Sequence, residues 1–204
     1  MTEIPDLGVV QTRRKTSLAV AAIFGFLLLV TTGSLWDHPM HRSFEAVGTY
    51  LIALCIFGRV LCSIYISGQK GAEIIAIGPY SVCRNPLYVF SFLGAVGVGI
   101  LSGSIIVSIA FGLVTWIVFR GVVVQEEVFL LSKHGLLYRD YLNRVPRFVP
   151  DFSLWDSGER IVVNSNGVIR TFTDASLFLL AIPLIELLEF LKETGRLPLL
   201  VALP

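Results

Sequence analysis

The 204-residue sequence has few charged residues, three cysteines and two methionines. Asp, Glu, Lys and Arg make up only 15% of the residues, against about 25% in an ordinary soluble domain. Since 54% of the residues are hydrophobic, the chain cannot cover the surface of a water-soluble globule. A net charge of +1 gives no electrostatic basis for binding nucleic acid. The three cysteines have neither the even number nor the spacing of a disulfide framework.

Long apolar runs are present instead, and they predict an all-α integral membrane protein. Four stretches are long enough to span a bilayer, at about 17–35, 44–66, 87–101 and 104–124. The last two are separated by only a few small residues, which predicts a tight antiparallel hairpin. A fifth stretch, 175–191, is shorter and contains a proline, so it either spans the membrane or lies at its interface.

The chain divides into two predicted parts. Residues 1–150 form a membrane domain, and residues 151–204 form a C-terminal extension that carries the fifth stretch. Within the extension, residues 161–170 contain an Asn-Gly pair between two β-branched runs, which predicts a β-hairpin.

The distribution of lysine and arginine predicts the topology. With the N-terminus in the cytoplasm, most of the basic residues fall in cytoplasmic segments, chiefly the N-terminal segment and the loops 67–85 and 125–173. Any chemistry therefore belongs at the cytoplasmic face of the plasma membrane, or of the inner membrane in a bacterium.

A candidate anion site lies in the first cytoplasmic loop. Asn85 followed by Pro86 is typical of a helix start. Arg84 would then lie at a helix N-terminus, where backbone N–H groups favour an anion, between the rings of Tyr80 and Tyr88. The same residues fit, equally well, an arginine bound to lipid phosphate with tyrosines in the interfacial belt.

The second cytoplasmic block combines an acidic pair with an aromatic segment. Glu126 and Glu127 leave a membrane helix side by side, which is unfavourable if they face lipid. Tyr138 and Tyr141 are three residues apart and share a helix face. We predict that Glu127 pairs with Arg147 across the intervening turn. An amphipathic helix explains the periodicity of this block but not its acidic pair.

Four short pieces occur in a specific order, namely Gly78-Pro79-Tyr80, Arg84-Asn85-Pro86-Leu87-Tyr88, Glu126-Glu127 and Gly135-x2-Tyr138-x2-Tyr141-x2-Arg144-Val145-Pro146. In this order, on matching membrane helices, they resemble the isoprenylcysteine carboxyl methyltransferase family. The phospholipid N-methyltransferases are similar over the same region. The resemblance covers about residues 44–150 and implies a methyltransferase that uses S-adenosylmethionine, enclosed at the cytoplasmic ends of the later helices.

The resemblance also implies roles for individual residues. The implied cofactor-binding residues are Ile74, Ile75 and Tyr80 for the adenosine, Asn85, Pro86, Leu87 and Tyr88 for the methionine end and ribose, and Glu126. Arg120 lies near the family's substrate arginine, offset by about half a helical turn. The family has histidine where this chain has Asn85. Because asparagine does not titrate, no proton shuttle is expected there.

The residue types fit this cofactor chemically. Arg84 and the helix N-terminus can bind its carboxylate, and Glu126 can accept hydrogen bonds from its ammonium group or ribose. Tyr80 or Tyr88 can stack on adenine or face the sulfonium. Methyl transfer requires positioning and exclusion of water, so no acid–base catalytic residue is nominated.

We therefore predict methyl transfer to a carboxylate or other heteroatom of a lipophilic acceptor in the bilayer, without a metal or a nucleic-acid partner. Within the enzyme class, a phospholipid N-methyltransferase is the alternative. Outside it, the alternative is a non-catalytic membrane protein that retains the fold.

Two other polar features receive simpler accounts. His38 and His41, near Asp37 and Glu45, have the residue types of a metal site, but a solvated outer loop is the expected explanation. Arg59, roughly 10 Å from the cytoplasmic end of its helix, is expected to extend toward the membrane surface. The alternative is a pair with Glu126 or Glu127 near the cofactor.

Overall fold

The computed structural model describes residues 7–36, 38–67 and 74–203, and they are mostly helical. In chain order the helices are α1 (Leu7–Thr31), α2 (His38–Ile66), α3 (Pro79–Val82), α4 (Pro86–Leu101), α5 (Ile105–His134), α6 (Leu136–Arg144), α7 (Ser165–Ser176) and α8 (Ala181–Glu193). Two 3-10 turns, Phe152–Leu154 and Leu177–Leu180, and two short parallel strands, β1 (Thr32–Ser34) and β2 (Val201–Leu203), complete the described chain. The predicted mainly helical fold is confirmed.

The long helices form an up-and-down bundle in which α2 packs along α4, α4 on α5, α5 on α1, and α7 on α2. One end of the bundle carries β1 and β2, and we call it the strand end. The other carries the loop and short helix of residues 74–85, and we call it the loop end. Packing on both sides of α4 creates a hydrophobic core that includes Ile52, Val98 and Val107.

Small residues allow two of these helices to approach closely. A Cβ atom added to Gly48 on α2 would lie 2.7 Å from the carbonyl oxygen of Gly97 on α4. The predicted α4–α5 hairpin is also present. Gly103 turns the chain with φ 66°, and the hydroxyl of Ser104 accepts a hydrogen bond from the N–H of Val107 at 3.3 Å, which caps α5.

The outer surface of the bundle is apolar. Two helices, Pro39–Ile66 and Ile105–His134, are long and apolar enough to cross a membrane, and only 33% of the most apolar stretch of each is buried within the protein. Large apolar side chains such as Ile23 and Ile117 are 62% and 68% exposed. Because a soluble core helix would bury such residues, this surface fits contact with lipid. The number of spans and the division at residue 150 remain predictions.

The predicted β-hairpin at residues 161–170 is wrong, because the Asn-Gly segment begins a helix. The side chain of Asn164 accepts a hydrogen bond from the N–H of Gly167 at 3.3 Å and so caps the first turn of α7. Asparagine at this position satisfies a backbone donor that a helix otherwise leaves without a partner. The same Asn-Gly segment is typical of both a hairpin turn and a helix N-terminus, and in the structure it forms the helix N-terminus.

The fifth apolar stretch belongs to a continuous helical rod, residues 165–193, made of α7, a 3-10 turn and α8. Pro183 has no N–H to donate to the carbonyl of Leu179, which accounts for the 3-10 turn just before it. The N–H of Asn164 donates to Ser67 Oγ at the loop end, whereas Glu189 contacts His41 at the strand end. The rod therefore extends from the loop end to the strand end, with α7 packed on α2 and α8 packed on α4 and α1. Whether it spans the membrane or lies at its interface stays a prediction.

Candidate active site

The loop end is organised around a buried carboxylate. Glu127 on α5 is 7% exposed and binds two arginines. Its Oε1 atom lies 3.1 Å from Arg84 Nη1, and its Oε2 atom lies 2.7 Å from Arg147 Nη2. Arg147 Nε also donates to Oε1 at 3.2 Å, so this pair is bidentate. The predicted pairing of Glu127 with Arg147 is confirmed, and Arg84 proves to be a third member.

Hydrogen bonds to backbone carbonyls join the two segments that carry Arg84 and Arg147. The N–H of Arg84 donates to the carbonyl of Pro146 at 2.9 Å, and the Nδ2 group of Asn85 donates to the carbonyl of Arg147 at 3.2 Å. Asn85 occupies the N-cap position of α4, but its side chain makes no capping bond. Asn85, where the resemblance implies a histidine, thus binds the segment after α6.

Two tyrosines of α6 pack against the loop end of the bundle. Tyr138 and Tyr141 are buried, with ring centroids 5.8 Å apart, as expected for residues on one helix face. The hydroxyl of Tyr141 donates to the carbonyl of Tyr80 at 2.8 Å. Burial raises the pKa of the Tyr80 and Tyr141 phenols well above the ordinary value, so both stay neutral hydrogen-bond donors at physiological pH.

A cavity of about 560 Å³ lies above this layer, within the size range of small-molecule sites. All predicted cofactor residues except Pro86 line it, namely Ile74, Ile75, Tyr80, Arg84, Asn85, Leu87, Tyr88 and Glu126. Pro86 is buried and begins α4. Two separate segments of sequence thus meet at one site.

The geometry fixes the orientation of Glu126. The Tyr88 hydroxyl donates to Glu126 Oε1 at 2.9 Å, and the Tyr88 ring packs on Phe119 at a centroid distance of 4.9 Å. The carboxylate therefore has a defined position in the wall of the cavity.

Arg120, the predicted substrate residue, lies elsewhere. Its side chain is exposed on α5 and is not among the residues that line the cavity. Its role in binding substrate remains a prediction.

Four polar side chains in the cavity wall were not predicted as site residues, namely Arg59, Ser91, Thr171 and Asp174. Arg59 donates to the Ser91 hydroxyl and faces the cavity, so the expected extension toward the membrane surface is wrong. Thr171 and Asp174 come from α7, beyond the region of resemblance. The only available signal for Arg59 was a charge within an apolar helix. Nothing local marked the α7 residues.

Several polar atoms at the cavity are buried without a hydrogen-bond partner. Among the described residues these include Arg59 Nε, Tyr80 Oη and Arg84 Nε. Burying a donor without a partner costs about 1–3 kcal/mol, so unpaired donors that line one cavity indicate a polar ligand. Their chemistry fits S-adenosylmethionine, whose carboxylate, ribose and adenine all accept hydrogen bonds.

Comparison with known families gives a match to the phospholipid methyltransferase model over residues 20–135. The chain belongs to the phospholipid methyltransferase family. The match includes every predicted cofactor residue and ends before α6. It follows that the chain is a methyltransferase, and the family implies S-adenosylmethionine as the methyl donor.

The sequence relatives agree with this family assignment. The chain is 34% identical over 110 residues to the protein-S-isoprenylcysteine O-methyltransferase of Schizosaccharomyces pombe, covering 52% of this chain and 47% of that one. A solved eukaryotic isoprenylcysteine carboxyl methyltransferase covers 70% of this chain and 53% of its own, at 19% identity and a TM-score of 0.45. The family model and the sequence relatives identify a membrane methyltransferase of the isoprenylcysteine carboxyl methyltransferase type.

A bacterial relative matches over more of its length. The nickel-cobalt-cadmium resistance protein NccN of Alcaligenes xylosoxydans xylosoxydans is 33% identical over 179 residues, covering 87% of this chain and 84% of that protein. The similarity to this protein therefore extends beyond the region that the family model matches.

The ion cluster predicts a large effect on stability. Replacing Glu127 with Gln leaves Arg84 partly buried without its anion, and removing one member of a buried ion pair costs about 3–5 kcal/mol. Since Arg147 is 41% exposed and water screens its charge, we expect the lower end of that range. The measurement is the free energy of unfolding in mixed detergent micelles. Asp140→Asn, at an exposed position on α6, is the control. Equal stability of the two variants would show that the cluster does not support the fold.

Proposed function

We propose that the loop-end cavity binds S-adenosylmethionine on the cytoplasmic side of the membrane and transfers its methyl group to an anionic group of a lipophilic acceptor. The observation that carries this proposal is the set of buried, unpartnered donors of Arg59, Tyr80 and Arg84 around one cavity. Membership of a methyltransferase family supports it independently.

The proposed contacts follow from charge. Arg84 uses one amino group on Glu127, and its buried Nε remains available for the cofactor carboxylate. The carboxylate of Glu126, oriented by Tyr88, accepts from the ammonium group or a ribose hydroxyl. Ile74 and Ile75 provide an apolar wall for the adenine. The cavity wall thus offers both a basic and an acidic group, which matches the zwitterionic end of the methionine.

When bound, the cofactor supplies an electrophilic methyl group on a sulfonium. The protein then has to align the acceptor and exclude water. Tyr138 and Tyr141 close the floor of the cavity. A carboxylate or thiolate acceptor needs no general base, so the absence of a titratable residue at Asn85 is compatible with the reaction.

Replacing Glu126 with Gln removes the charge but keeps the shape, so it tests the cofactor contact. A hydrogen bond to a charged group contributes about 1.5–3 kcal/mol, so we expect S-adenosylmethionine to bind roughly 10- to 100-fold more weakly. The measurement is equilibrium binding of labelled cofactor to purified protein. Glu159→Gln, at an exposed position, is the matched control. Unchanged binding by the Glu126 variant would contradict the proposed placement.

We propose Arg59 as the residue that positions the acceptor's anionic group. It lies on the cavity wall deeper in the bundle than Arg84, and its Nε is buried without a partner. An adjoining apolar cavity of about 200 Å³ shares Leu18 and Phe178 with the main cavity and is lined by α1, α4 and α5. An acceptor with an apolar chain can therefore place the chain there and its charged head near Arg59. A phospholipid amine remains the alternative acceptor.

Substitutions at Arg59 and Arg120 distinguish the two candidate residues for binding the acceptor. If Arg59 binds the acceptor, Arg59→Gln raises KM for a prenylated cysteine carboxylate by roughly tenfold or more, because a charge-assisted hydrogen bond is lost, while cofactor affinity changes little. Steady-state kinetics with a farnesylated cysteine derivative measure both effects. A comparable rise in KM for Arg120→Ala, with Arg59→Gln unaffected, would instead support the resemblance-based role of Arg120.

A second candidate function is participation in resistance to transition metals. The specific observation is the extent of the match to NccN, whose name associates that protein with nickel, cobalt and cadmium resistance. In this candidate, methyl transfer modifies a membrane component of the host and changes its tolerance.

Expression of the chain in a metal-sensitive bacterium tests this candidate. We expect growth at higher Ni²⁺ or Co²⁺ concentrations than with an empty vector. Loss of the effect in the Glu126→Gln variant would connect tolerance to methyl transfer. Growth identical to that of the empty vector would contradict the candidate and leave the methyltransferase assignment untouched.

A further inference from the structure

Three side chains from two helices converge at the strand end of the bundle. His41 and Glu45 lie one turn apart on α2, and Glu189 lies on α8. His41 Nε2 is 3.1 Å from Glu189 Oε1 and 3.6 Å from Glu45 Oε1. One ligand atom from each residue lies within 4.8 Å of the other two.

We propose that His41, Glu45 and Glu189 form a binding site for a divalent transition-metal ion of the Zn²⁺, Co²⁺ and Ni²⁺ class. Ligand atoms about 2.0–2.2 Å from a tetrahedral ion lie roughly 3.3–3.6 Å apart. The two distances from His41 Nε2 already approach this spacing, and the ligand oxygens of Glu45 and Glu189 lie within 4.8 Å of each other. An imidazole nitrogen also selects transition metals over Mg²⁺ and Ca²⁺, which favour all-oxygen sites.

The charges around the cluster fit a cation. Two carboxylates face a single imidazole, so the ligand set is acidic. Lys192, on the next turn of α8, donates hydrogen bonds to the carbonyls of Leu29 and Thr32. Its ammonium group is therefore bound to the last turn of α1, where backbone carbonyls favour a cation.

The cluster is also accessible. The side chains of His41, Glu45 and Glu189 are 16%, 39% and 30% exposed, respectively. An ion can reach them from solvent, and water can complete its coordination. This is the arrangement of a three-ligand protein site with an open position.

Such a site is separate from the methyl-transfer cavity. At 1.5 Å per residue, about 27 Å of helix separates His41 from Arg59. A metal ion bound here would join α2 to α8 and hold the C-terminal rod, residues 165–193, against the bundle. The opposite end of that rod supplies Thr171 and Asp174 to the cavity wall. The metal site thus fixes an element that the cavity uses, without contacting the reacting groups.

This inference revises the expectation that the protein binds no metal. The sequence places two histidines and two acidic residues near one another, and the expectation for them was a solvated outer loop without a metal ion. The third ligand, Glu189, is remote in sequence, and only the fold brings it to His41. Asp37 lies outside the described residues, as does the side chain of His38.

The test uses the full chain without a polyhistidine tag, purified in detergent and stripped of metal by a chelator. We expect CoCl₂ to produce the visible absorption of nitrogen- and oxygen-coordinated Co²⁺, at about one ion per chain. ZnCl₂ should displace the Co²⁺ and raise the melting temperature. MgCl₂ should do neither. These measurements need no variant, so a folding defect cannot obscure them.

Variants then assign the ligands. His41→Ala and Glu189→Gln should each weaken Zn²⁺ binding by at least roughly tenfold. Glu186→Gln, one turn away at an exposed position on α8, should leave it unchanged. Absence of bound Co²⁺, or equal binding by all three variants, would overturn the site. Because Glu126 is not involved, this result is independent of S-adenosylmethionine binding.

Discussion

The loop end depends on the burial of one carboxylate. Glu127 leaves a largely apolar helix next to Glu126, in a part of the fold where an isolated charge is very unfavourable. Two arginines from different segments make its burial tolerable, one from the loop before α4 and one from the chain after α6. To satisfy Glu127, both segments must come to the end of α5, and the cavity is the space that they enclose with α2 and α7. Glu126, the neighbour of Glu127, lines that cavity.

The two adjacent glutamates therefore have different roles. Glu127 is neutralised by protein groups and supports the structure. Glu126 accepts a hydrogen bond from the Tyr88 hydroxyl and lines the cavity. Arg84 belongs to both functions, because one of its nitrogens binds Glu127 while another remains without a protein partner. A charge that remains available in this way suits the recognition of a zwitterionic ligand.

The sequence predicts much of the fold because the physical signals are local. Apolar runs predict helices, and the acidic pair and Arg147 predict a contact that the structure contains. Short-range signals fail where two explanations use the same residues, as at Asn164, where a helix cap prevails over a hairpin turn. They also fail where the partner is remote in sequence. Asp174 lines the cavity because α7 packs on α2, and Glu189 reaches His41 because the C-terminal rod extends to the strand end.

The structure also explains why an arginine within an apolar helix was misjudged. A charge there can extend to the membrane surface, pair with an acid or line an internal cavity, and the position of Arg59 within its helix does not distinguish these alternatives. Arg59 lines it, and its hydrogen bond to Ser91 on α4 fixes it in place. The bundle thus carries two polar ends with different roles, one around the loop-end cavity and one around His41 at the strand end.

The central claim is that the loop-end cavity is the S-adenosylmethionine site. Ultraviolet cross-linking of methyl-labelled S-adenosylmethionine to the purified protein, followed by peptide mass spectrometry, tests it most directly. The account predicts label on aromatic residues of the cavity wall, above all Tyr80 and Tyr88, with labelling suppressed by excess S-adenosylhomocysteine. Competable label confined to the strand end or to the outer surface of the helices would contradict it.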